Sequence, residues 1–407
     1  MKSILISRSV LIFAASFPLT AVIADTPPAA LELVASYPAP VVSTSGGVIN
    51  KQLAESEAPR AVLSELPVRP TRSQLEGLRI EGLMLISSPA AADLSVRDEE
   101  ELAATLKAYG SRKNPDDATA LETYISRNPS SPWTPGLRVT YGARLYHQGR
   151  FSEALDCFEK AWSALKDSED TKVREASVSA AAELASLYAR LGRMEELRAV
   201  LKEVESRPVS GANTEKIRMA AEGLASMTDM PEHSFKCGPF ALRNIRESLG
   251  LQPALHPCID KKKSTAKGIS LAELQTLAGE MEMDWVAAER DPGTELPLPV
   301  LAHWKVGHYA AVLKKMEDGR LLVRDPTFLH DFLIAPEVFD RESSGRFLVP
   351  RQALGRGWKS LSADEAAAVF GKGAPTSKDP DDAPSKCPKK CPGMAVYDFD
   401  LFKAGLR

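Results

Sequence analysis

The sequence predicts a multidomain fold, in which an all-α helical-repeat N-terminal domain precedes an α+β C-terminal domain. The chain has 407 residues, which is more than one typical domain needs. Residues 90–227 are dominated by Ala, Leu, Glu, Arg and Lys, which are strong helix formers. Residues 228–370 instead alternate helical patterns with short apolar runs that are typical of strands.

The composition is that of an ordinary globular protein and excludes several classes. Hydrophobic residues make up 44% and charged residues 26% of the chain, which excludes wholesale disorder. The net charge of −3 gives no sign of a nucleic-acid surface, so no nucleic-acid partner is expected. Six histidines and five cysteines form no cluster with metal-ligand spacing. We therefore expect neither a metal nor another cofactor.

The N-terminus predicts export. Lys2 and Arg8 precede an uncharged, mostly apolar run from Val10 to Ala24, and together these features are typical of a bacterial signal peptide over residues 1–24. The run is shorter than the roughly 20 residues that span a bilayer. We therefore expect a secreted or periplasmic protein. The alternative is an uncleaved signal sequence that anchors the chain in the membrane. Residues 25–89 are predicted to be a poorly ordered lead-in with one short helix.

Within the helical region, two runs share a pattern of small and apolar residues around a turn glycine, Gly149 in the first run and Gly192 in the second. The first run, "TYGARLYHQGRFSEALDCFEKAW", resembles a tetratricopeptide repeat. A degenerate third unit is expected at residues 102–124. The glycines lie further apart than the usual 34-residue period, and we expect the charged segment at residues 167–172 to absorb the difference. Such repeats imply either a groove for a peptide or protein partner or a helical spacer.

Cys237 is the best candidate nucleophile. Ala241 and Ile245 follow it at helical spacing, Pro239 suits a first helical turn, and Gly250 is a stop signal. Cys237 is therefore predicted to begin an amphipathic helix. The partial positive charge at a helix N-terminus stabilises a thiolate.

A predicted β-hairpin supplies the partners that a thiolate nucleophile needs. His308 opens an apolar run, Asp318-Gly319 marks a turn, and a second apolar run ends at Asp325-Pro326. With a four-residue loop, His308 and Asp325 become diagonal neighbours on one face of the hairpin. Cys237, His308 and Asp325 would then act as nucleophile, general base and orienting acid.

The runs "CGPFAL", "LPVLAHW", "GHYAAVL" and "LLVRDP" resemble the motifs of the C39 peptidases, which are papain-like cysteine peptidases. The resemblance covers roughly residues 230–350. It implies a papain-like α+β fold, a peptide or protein substrate, and the same roles for Cys237, His308 and Asp325. Two positions depart from the family pattern: Pro231 replaces the usual oxyanion-hole Gln, and Lys236 replaces an Asp. Loss of an oxyanion donor costs about 10²–10³ in turnover.

The predicted function is therefore peptide-bond hydrolysis by a C39-type cysteine peptidase. The alternatives are a catalytically degraded C39-like module that only binds peptides, a transglutaminase-type acyl transferase with the same Cys, His, Asp order, and a helical scaffold with an incidental cysteine.

Residues 371–407 are predicted to be a Pro-rich linker and tail. Cys387 and Cys391 in this segment would form a local disulfide. The last residues resemble the start of Rhs/YD-repeat secreted proteins, of which the chain would be an N-terminal part. Gly46-Gly47 in the lead-in resembles the double-glycine sites that C39 peptidases cut.

Overall fold

The computed structural model describes residues 66–78, 82–88, 96–114, 116–251, 257–328 and 331–374. These residues belong to one compact unit of the chain. The predicted signal peptide, the Gly46-Gly47 motif, most of the lead-in, the Cys387–Cys391 disulfide and the Rhs-like tail lie outside the described residues.

Residues from about 70 to 230 form a helical region, which confirms the helical prediction at this level. Its helices are α1 (Arg72–Gly77), α2 (Val96–Gly110), α3 (Thr119–Arg127), α4 (Thr134–His147), α5 (Phe151–Leu165), α6 (Thr171–Arg190), α7 (Met194–Val204) and α8 (Ala212–Asp229). Helices α4 and α5 pack closely because Gly142 has no side chain: a Cβ there would lie 2.7 Å from the Phe158 ring. The tetratricopeptide character of these helices stays a prediction.

The two turn glycines contact the C-terminal region. Gly149 and Gly192 have φ of +75° and +65°, the left-handed conformation that favours glycine after a helix. A Cβ on Gly149 would lie 2.5 Å from the Phe332 ring, and one on Gly192 would overlap the carbonyl oxygen of Lys372. The charged segment at residues 167–172 forms most of the connection after α5 and the first two residues of α6. Helix α6 has 20 residues.

The C-terminal region combines helices with a seven-stranded antiparallel sheet of order β6-β5-β4-β3-β7-β2-β8. Its strands are β1 (Ile269–Ser270), β2 (Trp285–Arg290), β3 (Val300–Trp304), β4 (His308–Lys315), β5 (Leu321–Arg324), β6 (Asp331–Ile334), β7 (Ser343–Pro350), β8 (Trp358–Ser360) and β9 (Phe370–Gly371). Strands β1 and β9 pair with each other in a separate small sheet.

The helices of this region are α9 (Pro231–Ser234), α10 (Cys237–Ser248), α11 (Pro257–Lys261), α12 (Leu271–Glu280), α13 (Pro336–Glu342) and α14 (Ala363–Ala367), with a 3₁₀ turn at Arg351–Ala353. Helix α12 begins with a capping box, in which Ser270 accepts from the Glu273 N–H and Glu273 accepts from the Ser270 N–H. The presence of an antiparallel sheet together with helices confirms the prediction of an α+β C-terminal region.

The large sheet is covered on both faces. On one face, Val300, Trp304 and Val312 share an apolar cluster with the helical region. On the other face, Leu301 and Ala311 pack with α10 and α12. Every residue of β3 is therefore buried, which explains why the strand is almost continuously apolar. The helical region thus forms one layer over the sheet that carries the predicted site.

A buried carboxylate joins the helical region to the C-terminal region. Glu342, at the end of α13, accepts hydrogen bonds of 2.9 Å from the backbone N–H and from the hydroxyl of Ser152 in the first turn of α5. Burial raises the pKa of Glu342, although both Ser152 hydrogen bonds lower it. The carboxylate satisfies helix N–H groups that would otherwise be buried without a partner.

Replacing Glu342 with alanine is expected to lower the free energy of unfolding by about 1–3 kcal/mol, because buried donors of α5 lose their acceptor. Ser152→Ala, which removes only the hydroxyl bond, is the matched control and should cost less. Denaturant unfolding of both variants measures the difference. Equal losses would show that the helix N–H bond contributes nothing.

Candidate active site

Cys237 is the first residue of α10, as predicted. The preceding residue, Lys236, makes no side-chain cap, so the first-turn N–H groups are not capped by it. Gly238 allows α12 to pack against this turn, because a Cβ there would lie 2.6 Å from Leu274. Because Cys237 is the first residue of α10, its side chain lies at the positive end of the helix dipole.

His308 and Asp325 are in direct contact. Nε2 of His308 lies 2.7 and 2.8 Å from the two carboxylate oxygens of Asp325. The same carboxylate accepts a 2.8 Å hydrogen bond from the Thr327 N–H, which fixes its orientation. Both side chains are fully buried, so water does not compete for these hydrogen bonds. The imidazole is thus held by its Nε2 edge, and Nδ1 is left for another partner.

The loop of the hairpin differs in length from the expected loop, although His308 and Asp325 still lie on one face. Lys315 pairs with Leu321, so the loop has five residues, 316–320, instead of four. An odd loop alone would place His308 and Asp325 on opposite faces. A bulge between Val312 and Lys314 adds one residue to β4 and restores the register. Ala311 therefore pairs with Arg324, as the four-residue loop would require.

Cys237 and His308 face the same point in space. A Cβ added to Gly373 would overlap Nδ1 of His308 and lie 2.9 Å from the Cβ of Cys237. Nδ1 is buried, and the polar side chain that it faces is that of Cys237. The structure therefore brings Cys237, His308 and Asp325 together, with the imidazole between the sulfur and the carboxylate.

The charges around His308 favour its protonated form. Burial alone would lower the pKa of His308, but the Asp325 carboxylate and Cys237 outweigh it and raise the pKa to about 10. Burial, with a smaller electrostatic effect of the nearby Cys237, raises the pKa of Tyr309 well above its usual value. An imidazole that is held protonated by a carboxylate and faces a cysteine is the arrangement that a thiolate–imidazolium nucleophile requires.

The helical region supports the loop that carries Asp325, which sequence reasoning missed. The buried Arg190, at the end of α6, donates a 3.0 Å hydrogen bond to the carbonyl of Thr327. Its guanidinium also lies 5.6 Å from the centre of the Phe328 ring, and that ring packs edge-on against His308. No local signal marks Arg190, because its partners lie 137 residues away.

Pro231, at the sequence position where the C39 pattern has its oxyanion-hole Gln, begins α9, and its carbonyl accepts from the Ser264 hydroxyl. His233 and Ser234 follow Pro231 in this helix and carry the nearest side-chain donors in sequence. The Ser234 hydroxyl instead lies within bonding distance of the Met230 and Ser226 carbonyls, and His233 is partly exposed beside Glu232. Lys236 donates to the Asp260 carbonyl.

Two features are absent from the described ranges. No group of three or more His, Cys, Asp or Glu side chains is arranged to hold a metal ion. No described helix combines the length and apolar character of a bilayer span.

Residues 230–353 match the family model of the Peptidase C39 family. The match includes Cys237, His308 and Asp325 and covers less than a third of the chain. It supports a cysteine-peptidase-like fold for this region. Searches of curated proteins and of solved structures gave no significant match.

Proposed function

We propose that this protein is a cysteine peptidase that hydrolyses peptide bonds through Cys237, His308 and Asp325. One observation carries the proposal: Nε2 of His308 is bonded to Asp325 while its buried Nδ1 faces Cys237. A structural histidine in a core would have both ring nitrogens satisfied within the fold. The C39 match over the same residues supports the assignment.

The proposed reaction passes through a thioester. The Cys237 thiolate attacks the peptide carbonyl, and the oxyanion is stabilised by the N–H groups at the start of α10. Nδ1–H of His308 protonates the leaving amine, which departs as the C–N bond breaks. The neutral imidazole then takes a proton from water, whose oxygen attacks the thioester and releases the acid and the thiol. Asp325 holds the ring in position and stabilises its positive charge throughout.

A peptide library separates this function from its alternatives. A hydrolase produces new peptide N-termini, whereas a transglutaminase-type enzyme incorporates a labelled primary amine and releases ammonia. A degraded, peptide-holding module does neither, although Cys237 would still react with a peptide aldehyde. Amine incorporation without new N-termini would reject the peptidase assignment.

The helical region has a proposed role in the same reaction. Its contact with the Thr327 carbonyl through Arg190 supports the Asp325 loop. A peptide or protein partner for these helices, and export out of the cytoplasm, stay predictions from the sequence.

Arg190 is a positioning residue under this proposal. Arg190→Lys is expected to keep more activity than Arg190→Met, since only lysine can still donate to the Thr327 carbonyl. In the methionine variant, the high-pH limb of kcat/KM should also move downward, because a looser Asp325 supports the imidazolium less well. A loss of stability with an unchanged pH profile would contradict this role.

A further inference from the structure

The catalytic pair is covered by the chain's own C-terminal segment. Cys237 and His308 have no exposed surface, although a substrate peptide must reach both. Residues 370–374, here called the strap, pass directly over them. Gly373 lies so close that a Cβ on it would meet both His308 and Cys237. The predicted linker was expected to begin at residue 371, but residues 371–374 pack into the fold.

Backbone hydrogen bonds hold both ends of the strap. Gly371 pairs with Ile269, which makes β9 an added antiparallel strand. Further along, the Lys372 N–H donates to the Gly307 carbonyl at 2.9 Å. The Ala374 N–H donates to the carbonyl of Arg190, also at 2.9 Å. Main-chain bonding of this kind is how proteins bind peptide strands, because it needs no particular side chains.

Side chains next to the catalytic residues hold the start of the strap. Nε2 of His303 lies 2.9 Å from the Phe370 carbonyl. Burial lowers the pKa of His303 to about 4, so the neutral ring donates from Nε2. The Tyr309 hydroxyl donates to the Val369 carbonyl at 2.8 Å. His303 of β3 and Tyr309 of β4 thus hold this segment of the chain beside Cys237 and His308. The space that the strap occupies there is called the channel.

The channel has no space for side chains at two alternate positions of the strap. A Cβ on Gly371 would overlap the Tyr309 ring, and a Cβ on Gly373 would overlap His308. On the opposite wall, Gly192 leaves room for the Lys372 carbonyl. Neither strap glycine has a positive φ. The lack of room for a side chain, and not the backbone conformation, therefore explains why glycine stands at these two positions.

We propose that the strap is an intramolecular ligand of the peptide-binding channel, which accepts a peptide with glycine at two alternate positions and is closed in the resting chain. The proposal rests on the proposed function only in taking the channel to be the route to Cys237. Because the strap is tethered, its effective concentration is far above that of an external peptide. An external peptide reaches Cys237 only when the strap leaves.

The test is the rate at which iodoacetamide alkylates each cysteine of the full chain, followed by mass spectrometry. In Gly373→Val, the added side chain collides with His308 and Cys237, and alkylation of Cys237 is expected to be at least tenfold faster. Gly355→Val is the matched control, because the nearest atom to a Cβ there is 4.0 Å away. Cys157, buried in α5, reports on unfolding, and the partly exposed Cys258 reports on reagent activity.

A synthetic peptide of residues 369–374 provides the second measurement. Added to the Gly373→Val variant, it should restore slow alkylation of Cys237, whereas the same peptide with valine at position 373 should not. If Cys157 also becomes reactive in Gly373→Val, that variant has unfolded. The variant Gly373→Ala, which adds a smaller side chain, is then used in the same assay.

Three results would overturn the proposal. The first is a wild-type alkylation rate in a folded Gly373 variant. The second is equal protection by both peptides. The third is cleavage of the wild-type chain after residue 373 that does not occur in Cys237→Ala. The strap would then be a substrate and not a bound ligand. Alkylation requires no turnover, so a strap effect without hydrolysis would leave this proposal standing while rejecting the peptidase.

Discussion

Replacing Cys237 with alanine is expected to lower the rate of peptide hydrolysis by at least about 10³-fold, because the thiolate forms the covalent bond of the acyl-enzyme. The free energy of unfolding should fall by less than about 2 kcal/mol, since a small buried side chain is only shortened. Single-turnover kinetics with a cleaved library peptide and denaturant unfolding measure the two quantities. A large loss of activity with a small loss of stability assigns Cys237 to the chemistry.

Cys157→Ala is the matched control for this experiment. Cys157 is also a buried cysteine on a helix, but burial raises its pKa to about 12, which keeps it a neutral thiol. Its removal should leave hydrolysis unchanged. If Cys237→Ala retained the activity of the Cys157 variant, the reaction would not pass through a thioester at Cys237.

Asp325→Asn is expected to lower kcat/KM by about 10²–10⁴-fold, the range over which a positioned acid or base contributes. The remaining activity should also have a different pH profile. The pKa of His308 is about 10 because Asp325 and Cys237 outweigh the effect of burial. Without the carboxylate, the imidazolium loses its proton at lower pH, so the high-pH limb of kcat/KM moves downward. Measuring kcat/KM between pH 6 and pH 11 tests this shift.

Stability should follow the same titration. The pKa of His308 in the folded protein lies above the ordinary histidine value of 6.5. Its protonation therefore stabilises the fold fully below about pH 6.5, and this contribution is lost as the pH rises toward 10. In Asp325→Asn the contribution should shrink, so the free energy of unfolding should depend less on pH in this interval.

Asp331→Asn is the control on the neighbouring strand. Asp331 pairs with Arg324 on the surface at 2.8 Å and does not contact His308. Its removal should change neither the high-pH limb nor the pH dependence of stability. An identical shift in both variants would show that the general charge of the hairpin, and not the contact with Asp325, sets the His308 pKa.

The hairpin shows how far local sequence can position a site. The apolar runs and the turn predicted both strands, and the pairing of Ala311 with Arg324 agrees with the expected register. The loop is nevertheless one residue longer than expected, and a bulge after Val312 compensates for it. Loop and bulge each reverse the face of every later side chain. The combined effect of loop and bulge on the register cannot be predicted from the periodicity of the sequence, because the packing of the sheet determines both.

The sequence by itself determined the helical character of residues 90–227, the two strands of the hairpin that carries His308 and Asp325, and the placement of Cys237 at a helix start. These features follow from residue spacing and turn residues within a few positions of one another. Only the tertiary structure decided that Arg190 supports the Asp325 loop, that Gly149 and Gly192 touch the C-terminal region, and that residues 370–374 cover Cys237 and His308. Those contacts join segments far apart in the chain, and they depend on which surfaces fit without steric overlap once the sheet is packed between its two helical layers.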